Sequence, residues 1–314
     1  MCYPQPSQEE LQRLIEIFSD EQETPQVPGR QITWQNIKPA LGFKGWFSIP
    51  VKQPETLYLS DEVCCKIFQG IDTVELMLAS SWESNNKSSV AAWINSILQP
   101  ILALFEGKIN SNANGRVRED RGLSGACVDF TYTVLDLCIV VVAQSKFEDP
   151  KDDAAQLMFE LKGAQQSNKS KGFPLRTING LLCSRDSWEI WSCDVNGDCS
   201  RSQPLPMTNH SKDVSLKNLR FLFEVVYHIF FEAYIGAIEA LINRSEMHLP
   251  AKSHQWQASL HLGTDAFNMA RVAKDNVQFH EAIKKLQESF ELLPDEHDRE
   301  LGGYLEAFKS AISK

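Results

Sequence analysis

Three side chains fall where they can act together: Asp129, Gln144 and Lys146. Alternation along an extended segment puts Gln144 and Lys146 on one face, and a neighbouring strand carrying Asp129 brings a carboxylate beside them. A carboxylate and an amide oxygen suit a hard divalent cation, Mg2+ or Mn2+, which keeps several waters and can present one as nucleophile. The lysine ammonium suits the attacking hydroxide or the charge that grows on a phosphate. Asp129 and Lys146 also suit a strand-end ion pair in an ordinary α/β domain.

The elements that must hold them are legible in the periodicity. Positions 126–133 alternate, with Val128, Phe130 and Tyr132 on one side and Asp129 and Thr131 on the other, the pattern of a half-buried strand. Positions 137–143 are continuously apolar, as in a central strand covered on both faces. Asp149 then offers an N-cap, Pro150 fits the first helical position, and Asp152 and Asp153 complement the helix dipole. Ala154, Leu157, Met158 and Leu161 form the buried stripe of that helix, and Lys162 before Gly163 marks its expected end, with a polar loop over 165–171.

Two further strands are expected at 177–183 and 188–195, joined by a turn at Arg185 and Asp186, with a second turn at Asn196-Gly197. A long apolar helix over 214–241 closes the unit. Upstream, 61–78 reads as one or two helices. A stronger helix carries Val90, Trp93, Ile94, Ile97, Leu98, Ile101 and Leu102, with a kink expected at Pro100, an end at Gly107 and a loop beyond it. Near the start, 9–18 is helical, 20–30 breaks it, and 32–51 suits irregular packing. Past Asn243 the chain reads as helical over 266–274, 279–292 and 299–313. The middle segment looks like one degenerate tetratricopeptide repeat, a packing appendage rather than a peptide-binding array.

The expected fold is therefore α/β: a three-layer helix/sheet/helix core with a mixed four- to five-stranded sheet and helical extensions at both ends. The expected division is 1–79, an N-terminal helical and irregular extension; 80–243, the core; and 244–314, a C-terminal helical appendage.

Composition narrows the partners. Of 314 residues 43% are hydrophobic and 23% charged, an ordinary globular balance, and 31 basic against 41 acidic side chains give a formal charge of -10. Contact with DNA or RNA must then run through a local basic strip. The polar start, with two prolines in the first ten residues, does not read as a secretory signal, so an intracellular setting, cytoplasm or nucleus, is expected. The apolar run 220–242 contains Glu224, His228, Glu232 and Glu239 and does not read as a membrane span. Glu224, His228 and Glu232 read instead as a polar stripe facing solvent. The eight cysteines form no CxxC pair, and there is no GxxxxGK[ST], GxGxxG after a strand, or HExxH. Positions 122–126 miss the nucleophile-elbow pattern, and 194–198 reads as a turn rather than a calcium loop.

Val128-Asp129-Phe130, the apolar strand, Gln144-Ser145-Lys146 and the helical Ala154-Ala155-Gln156-Leu157 together resemble the PD-(D/E)XK nuclease superfamily, over roughly 82–242. The resemblance implies a metal-dependent phosphodiester hydrolase in which Asp129, Gln144 and a helical acid hold the ion and Lys146 assists the attacking water. It points to Glu83 as that acid, with Glu106 as second choice, and to Gln156 as the glutamine often found on the following helix. Val128 stands where the pattern has Pro. Gln144 stands where it has an acid, which removes a negative charge about 4 Å from the ion and is worth up to a few kcal/mol. Arg116, Arg118 and Arg121 before the first strand, and Lys151, Lys169 and Lys171 after the second, flank the site and suit phosphate contacts; Glu119 and Asp120 beside the arginines also suit a solvated loop. The alternative is a catalytically inactive nuclease-fold module that binds nucleic acid or, through its C-terminal helices, a protein partner.

Overall fold

The computed structural model describes residues 33–39, 42–78, 87–113, 130–145, 149–207, 212–245 and 250–293. They form an α/β protein around one mixed sheet, in the order β1 (Asn110–Ala113), β2 (Phe130–Val134), β3 (Leu137–Gln144), β4 (Thr177–Cys183), β5 (Ser187–Asp194) and β6 (Cys199–Arg201), with β7 (Leu205–Pro206) also pairing with β5. The first three strands run antiparallel, β3 and β4 run parallel, and β5 is antiparallel to β4, β6 and β7. The sheet thus has seven strands against the four to five expected. The additions are the short β1, β6 and β7, whose two to four residues carry too little periodicity to read.

The turn between β2 and β3 is two residues long. Leu135 and Asp136 both take positive φ, 49° and 64°, the geometry of a tight hairpin whose twist matches its strands. Asp tolerates that region but Leu does not, and the buried Leu135 side chain offsets the cost by joining the core. From this hairpin β3 runs buried over all eight residues.

The helix α4 (Pro150–Ser170) lies along β3, β4 and β5. Its start is as the sequence predicts, with the Asp149 carboxylate accepting from the Lys151 N–H at 2.9 Å. Its end is not at Gly163. The helix continues to Ser170, and residues that look like a polar loop are buried and bonded. Gln165 Nε2 donates to the Leu175 carbonyl at 2.6 Å, while Asn168 accepts from the Cys138 N–H at 3.0 Å and donates to the Cys138 carbonyl at 2.7 Å. Those bonds extend the helix past a glycine that costs it only about 1 kcal/mol. Gly172, at φ 83°, turns the chain afterwards.

Gly180 on β4 marks the face that α4 covers. A Cβ there would meet Leu161 at 2.9 Å and Leu157 at 3.0 Å, so the helix seats against the sheet where the side chain is missing. On the other face Tyr132 of β2 meets Phe230 of α5 (Lys212–Ser245), ring centroids 5.0 Å apart. The helix α3 (Lys87–Leu102) packs against α5 and β3. It carries Pro100 inside its last turn, and Glu106 and Gly107 with positive φ close it, as expected. Within α5, residues Leu216–Asn243 are long and apolar enough to cross a membrane, yet 72% of the qualifying window is buried inside the protein, the mark of a core helix.

The flanking segments share that core, which runs as a single cluster from Trp34 to Leu293. Before the sheet lie the short α1 (Trp34–Ile37), a single turn at Trp46–Ser48, and α2 (Asp61–Leu78), one helix rather than two. The Trp34 N–H donates to Asp152 at 2.8 Å, fastening this region to the start of α4. Arg220 of α5 bonds Asp61 at 2.7 Å, Glu224 at 3.2 Å and the Leu59 carbonyl at 3.1 Å, fastening α2 in turn.

After α5 come α6 (Pro250–Val272), much longer than the 266–274 expected, and α7 (Asn276–Glu291), capped by Asp275. Their inner faces close on α5 through Tyr234, Ser259 and Ser289, and Phe105 sits among Tyr227, Phe231, Tyr234 and Phe290. The helices expected at 9–18 and 299–313 lie outside the described residues.

A disulfide joins Cys193 and Cys199, cross-strand partners on β5 and β6. The turn between them is built as the sequence predicts: the Asp194 carboxylate accepts from the N–H groups of Asn196 and Asp198, each at 2.9 Å, and Gly197 takes φ 85°. That turn brings the two thiols together, a pairing that a search for CxxC spacing overlooks.

Candidate functional site at the open end of the β2–β3 hairpin

The hairpin has a closed end, at Leu135 and Asp136, and an open end, where β2 starts and β3 finishes. Phe130, the residue after Asp129, lies opposite Val142, two residues before Gln144. Gln144 is the last residue of β3, lies opposite Cys183 of β4 and is 4% exposed. The Ser145 N–H carries the ladder one step further, donating to the Cys183 carbonyl at 2.8 Å.

Alternation assigns the faces here. Val141 is opposite Gly180 and so shares the face covered by α4, while Val140 is opposite both Tyr132 and Asn179 and shares the face covered by α5. Gln144 belongs to the second set and Ser145 to the first. The Ser145 hydroxyl accordingly donates to the carboxylate of Asp153, one turn into α4.

The N-terminal half of α3 reaches the same end. Trp93 meets Trp188, rings 6.0 Å apart, and Trp188 is opposite Cys183, the partner of Gln144. Glu83 precedes this helix. Glu106, the second choice for the helical acid, follows it and is at the wrong end: β1 pairs Asn110 with Thr133 beside the closed turn, and the Glu106 carboxylate accepts from Gln287 of α7 at 2.6 Å. The structure thus corrects that choice, because a helix lying along a hairpin presents its two ends to opposite ends of the site.

Of the other sequence-derived candidates, Gln156 lies on α4, half-buried, and donates to the Glu160 carboxylate at 2.9 Å. Lys151 is exposed in the first turn of α4. Asp129, Lys146, Glu83, Arg116, Arg118 and Arg121 lie outside the described residues. Among the described residues no group of three or more His, Cys, Asp or Glu is arranged to hold a metal ion.

Two buried acids on α4 escaped the sequence reading. Asp153 and Glu160 are each 2% exposed, although the sequence pattern points to only a dipole-complementing role for Asp153 and to none for Glu160. The available signal was their position within one residue of the apolar stripe Ala154, Leu157 and Leu161.

The expected solvent-facing stripe on α5 is also corrected. Only Glu232 is exposed; Glu224 pairs with Arg220, and His228 is buried against the Phe267 ring at 5.5 Å, its Nε2 3.6 Å from Glu55. The helix α6 and the segment around Glu55 cover this face, and both lie some 20 residues or more from His228 in the sequence. Burial pushes the His228 imidazole below its ordinary range, outweighing Glu232 and Glu55, which pull it up; Arg271 adds to the depression. The unfolded chain then binds the extra proton first, so stability falls as pH drops through about 6.5, the unfolded value, and is recovered above it. Urea midpoints from pH 5 to 8 should show this slope in the wild type and a flatter one in His228→Phe; identical slopes would contradict the buried neutral imidazole.

Comparison with known proteins gives no relative to lean on: no protein-family model, curated protein or solved structure matches the chain.

Proposed function

We propose that the chain is a divalent-metal-dependent nuclease-like protein that hydrolyses phosphodiester bonds in DNA or RNA, on a helix/sheet/helix core of the PD-(D/E)XK type. One observation carries the reading. At the open end of the β2–β3 hairpin, β2 starts one residue after Asp129 and β3 finishes at Gln144, and β3 continues through α4 into a parallel β4, with α3 reaching the same end. Helices on both faces of β3 support the three-layer arrangement.

The donor set fits a hard cation: an amide oxygen from Gln144 and carboxylates from Asp129 and Glu83, all oxygen ligands. Mg2+ or Mn2+, when bound, supplies Lewis acidity to a phosphate and its attacking water. Asp129 and Glu83 contribute the negative charge that holds the ion. Lys146 holds a proton-donating ammonium near the attacking oxygen and the phosphate. Arg116, Arg118 and Arg121, with Lys151 at the start of α4 and Gln156 one turn further, position the backbone of the nucleic acid.

A second reading has its own observation. Gln144 is uncharged and buried at the end of a strand buried throughout, as suits a nuclease fold kept for binding alone. The C-terminal helices give weaker support to a protein-docking role, because their apolar faces are already occupied by α5 and Phe105. An intracellular site of action belongs to the same proposal, and the Cys193–Cys199 disulfide bears against a strongly reducing compartment.

The test is purified protein with plasmid and single-stranded substrates in Mg2+ or Mn2+. Cleavage that a chelator abolishes supports the enzyme. Binding without cleavage supports the second reading.

A further inference from the structure

Phe47 is 96% exposed and carries the only aromatic ring among the large exposed hydrophobic side chains of the described residues. One exposed hydrophobe is ordinary in itself, but this one is held in water by a rigid support. The turn Trp46–Ser48 is closed by Ser48, whose hydroxyl accepts from the Gly45 N–H at 3.2 Å and donates to the Gly45 carbonyl at 2.6 Å. The residues around the ring point inward. Trp46 packs against Trp34 and Trp191, with ring centroids 5.2 and 5.8 Å apart, and Ile49 is buried. The chain then latches onto β6: the Arg201 N–H donates to the Pro50 carbonyl at 3.0 Å, and the Lys52 N–H donates to the Arg201 carbonyl at 2.8 Å. Pinned on both sides, the turn leaves Phe47 facing solvent.

The charge around this ring runs against that of the whole chain. Positions 33–54 hold three lysines and no Asp or Glu, in a protein with 41 acidic side chains and a formal charge of -10. Lys44 and Lys52, which bracket Phe47 in sequence, are both exposed, and neither forms an ion pair among the described residues. The turn is therefore a locally positive aromatic surface on an acidic protein. It is also joined to the start of α4. Trp34, the ring partner of Trp46, donates its N–H to Asp152 at 2.8 Å, beside the exposed Lys151.

We infer that Phe47, with Lys44 and Lys52, is a stacking platform for an unpaired base of a single-stranded nucleic acid, whose phosphates the two ammonium groups hold. This rests on the nuclease reading for the choice of a nucleic acid, and it adds the class of substrate, because a base offers its face to a protein ring only where it is out of the duplex stack. Size decides against the other occupant that such chemistry suits. An anionic lipid surface is held by clusters of about four to eight basic residues, and two exposed lysines fall short of that. One ring and two cations match about one nucleotide step, worth about tenfold in affinity. That suffices for an accessory contact on a strand whose reacting phosphate lies elsewhere.

The test is the anisotropy of a labelled single-stranded oligonucleotide of about 12 nucleotides, and of its duplex, in the presence of a chelator so that no cleavage intervenes. Phe47→Ala and Phe47→Leu should each weaken single-strand binding about tenfold, Phe47→Trp should keep it, and none should change duplex binding. Lys44→Ala with Lys52→Ala should reduce the slope of log affinity against log salt by about 1.4, as expected for two lost phosphate contacts. No single-strand binding by the wild type, wild-type affinity in Phe47→Ala, equal affinity in Phe47→Leu and Phe47→Trp, or equal weakening on the duplex overturns the inference. So does binding to phosphatidylserine vesicles that Phe47→Ala abolishes while oligonucleotide binding stays unchanged. The two readings fail separately. Stacking that depends on Phe47, in a chain whose cleavage is absent or indifferent to Asp129→Ala, keeps the platform and rejects the nuclease. Cleavage that Asp129→Ala abolishes, with wild-type binding in Phe47→Ala, does the reverse.

Discussion

Asp129→Ala and Lys146→Ala are each expected to lower the rate of Mg2+-dependent phosphodiester cleavage by about 10²- to 10³-fold, with the folded content unchanged. The magnitude follows from what each group does. A preorganised donor aimed at developing charge is worth about 10² to 10³ in rate, and loss of a carboxylate ligand removes charge from a site that already lacks one at Gln144. The scarcity of charge makes the site unusually sensitive to its remaining carboxylates. Cleavage by the two variants at the wild-type rate would show that the activity, if present, arises elsewhere.

The second large effect concerns stability. Arg201 on β6 and Glu189 on β5 form an ion pair at 2.7 Å with both side chains buried, and the guanidinium lies 4.7 Å from the Trp46 ring centroid. Burial raises the Glu189 carboxyl above its ordinary range even though Arg201 pulls it down. Desolvation therefore outweighs the pairing. That ordering predicts an asymmetric outcome: Arg201→Met alone strands a buried carboxylate and costs about 3–5 kcal/mol, whereas Glu189→Leu with Arg201→Met comes within about 1 kcal/mol of wild type or exceeds it. Urea unfolding of the two singles and the double measures the cycle. A single-mutant loss below about 1 kcal/mol would contradict the buried, desolvated pair.

Much of the central scaffold was legible because it obeys one period at a time. The continuous apolar run at 137–143 lies within β3 (Leu137–Gln144), 177–183 is β4, and the Asp149-Pro150 start of α4 was marked by its cap. What was lost needed tertiary partners. Lys162-Gly163 reads as a helix end only until Asn168 and Gln165 are seen bonding Cys138 and Leu175, because a polar side chain facing backbone is indistinguishable in sequence from one facing water. The strand β1 reads as a loop in the sequence because Asn110-Ser111-Asn112-Ala113 has no apolar alternation; its pairing with β2 is what makes it a strand. The burial of His228 is hidden in the sequence for the same reason, since α6, which helps bury it, lies some 20 residues or more further along the chain.

The candidate site divides along the same line. Gln144 at a strand end follows from alternation alone, and its face follows once Gly180 identifies the side taken by α4; Asp129 lies outside the described residues. Asp153 and Glu160 did not follow. Helical spacing puts them beside the buried stripe, but only the seating of α4 decides that an acid there is enclosed.

Calorimetric titration of the purified chain with Mn2+ tests the central claim most directly, because it asks for the ion without asking for turnover. One ion bound per chain, lost in Asp129→Ala and held more tightly in Gln144→Glu, is the predicted result. No binding to the wild type or to Gln144→Glu, or binding that Asp129→Ala leaves untouched, would contradict it.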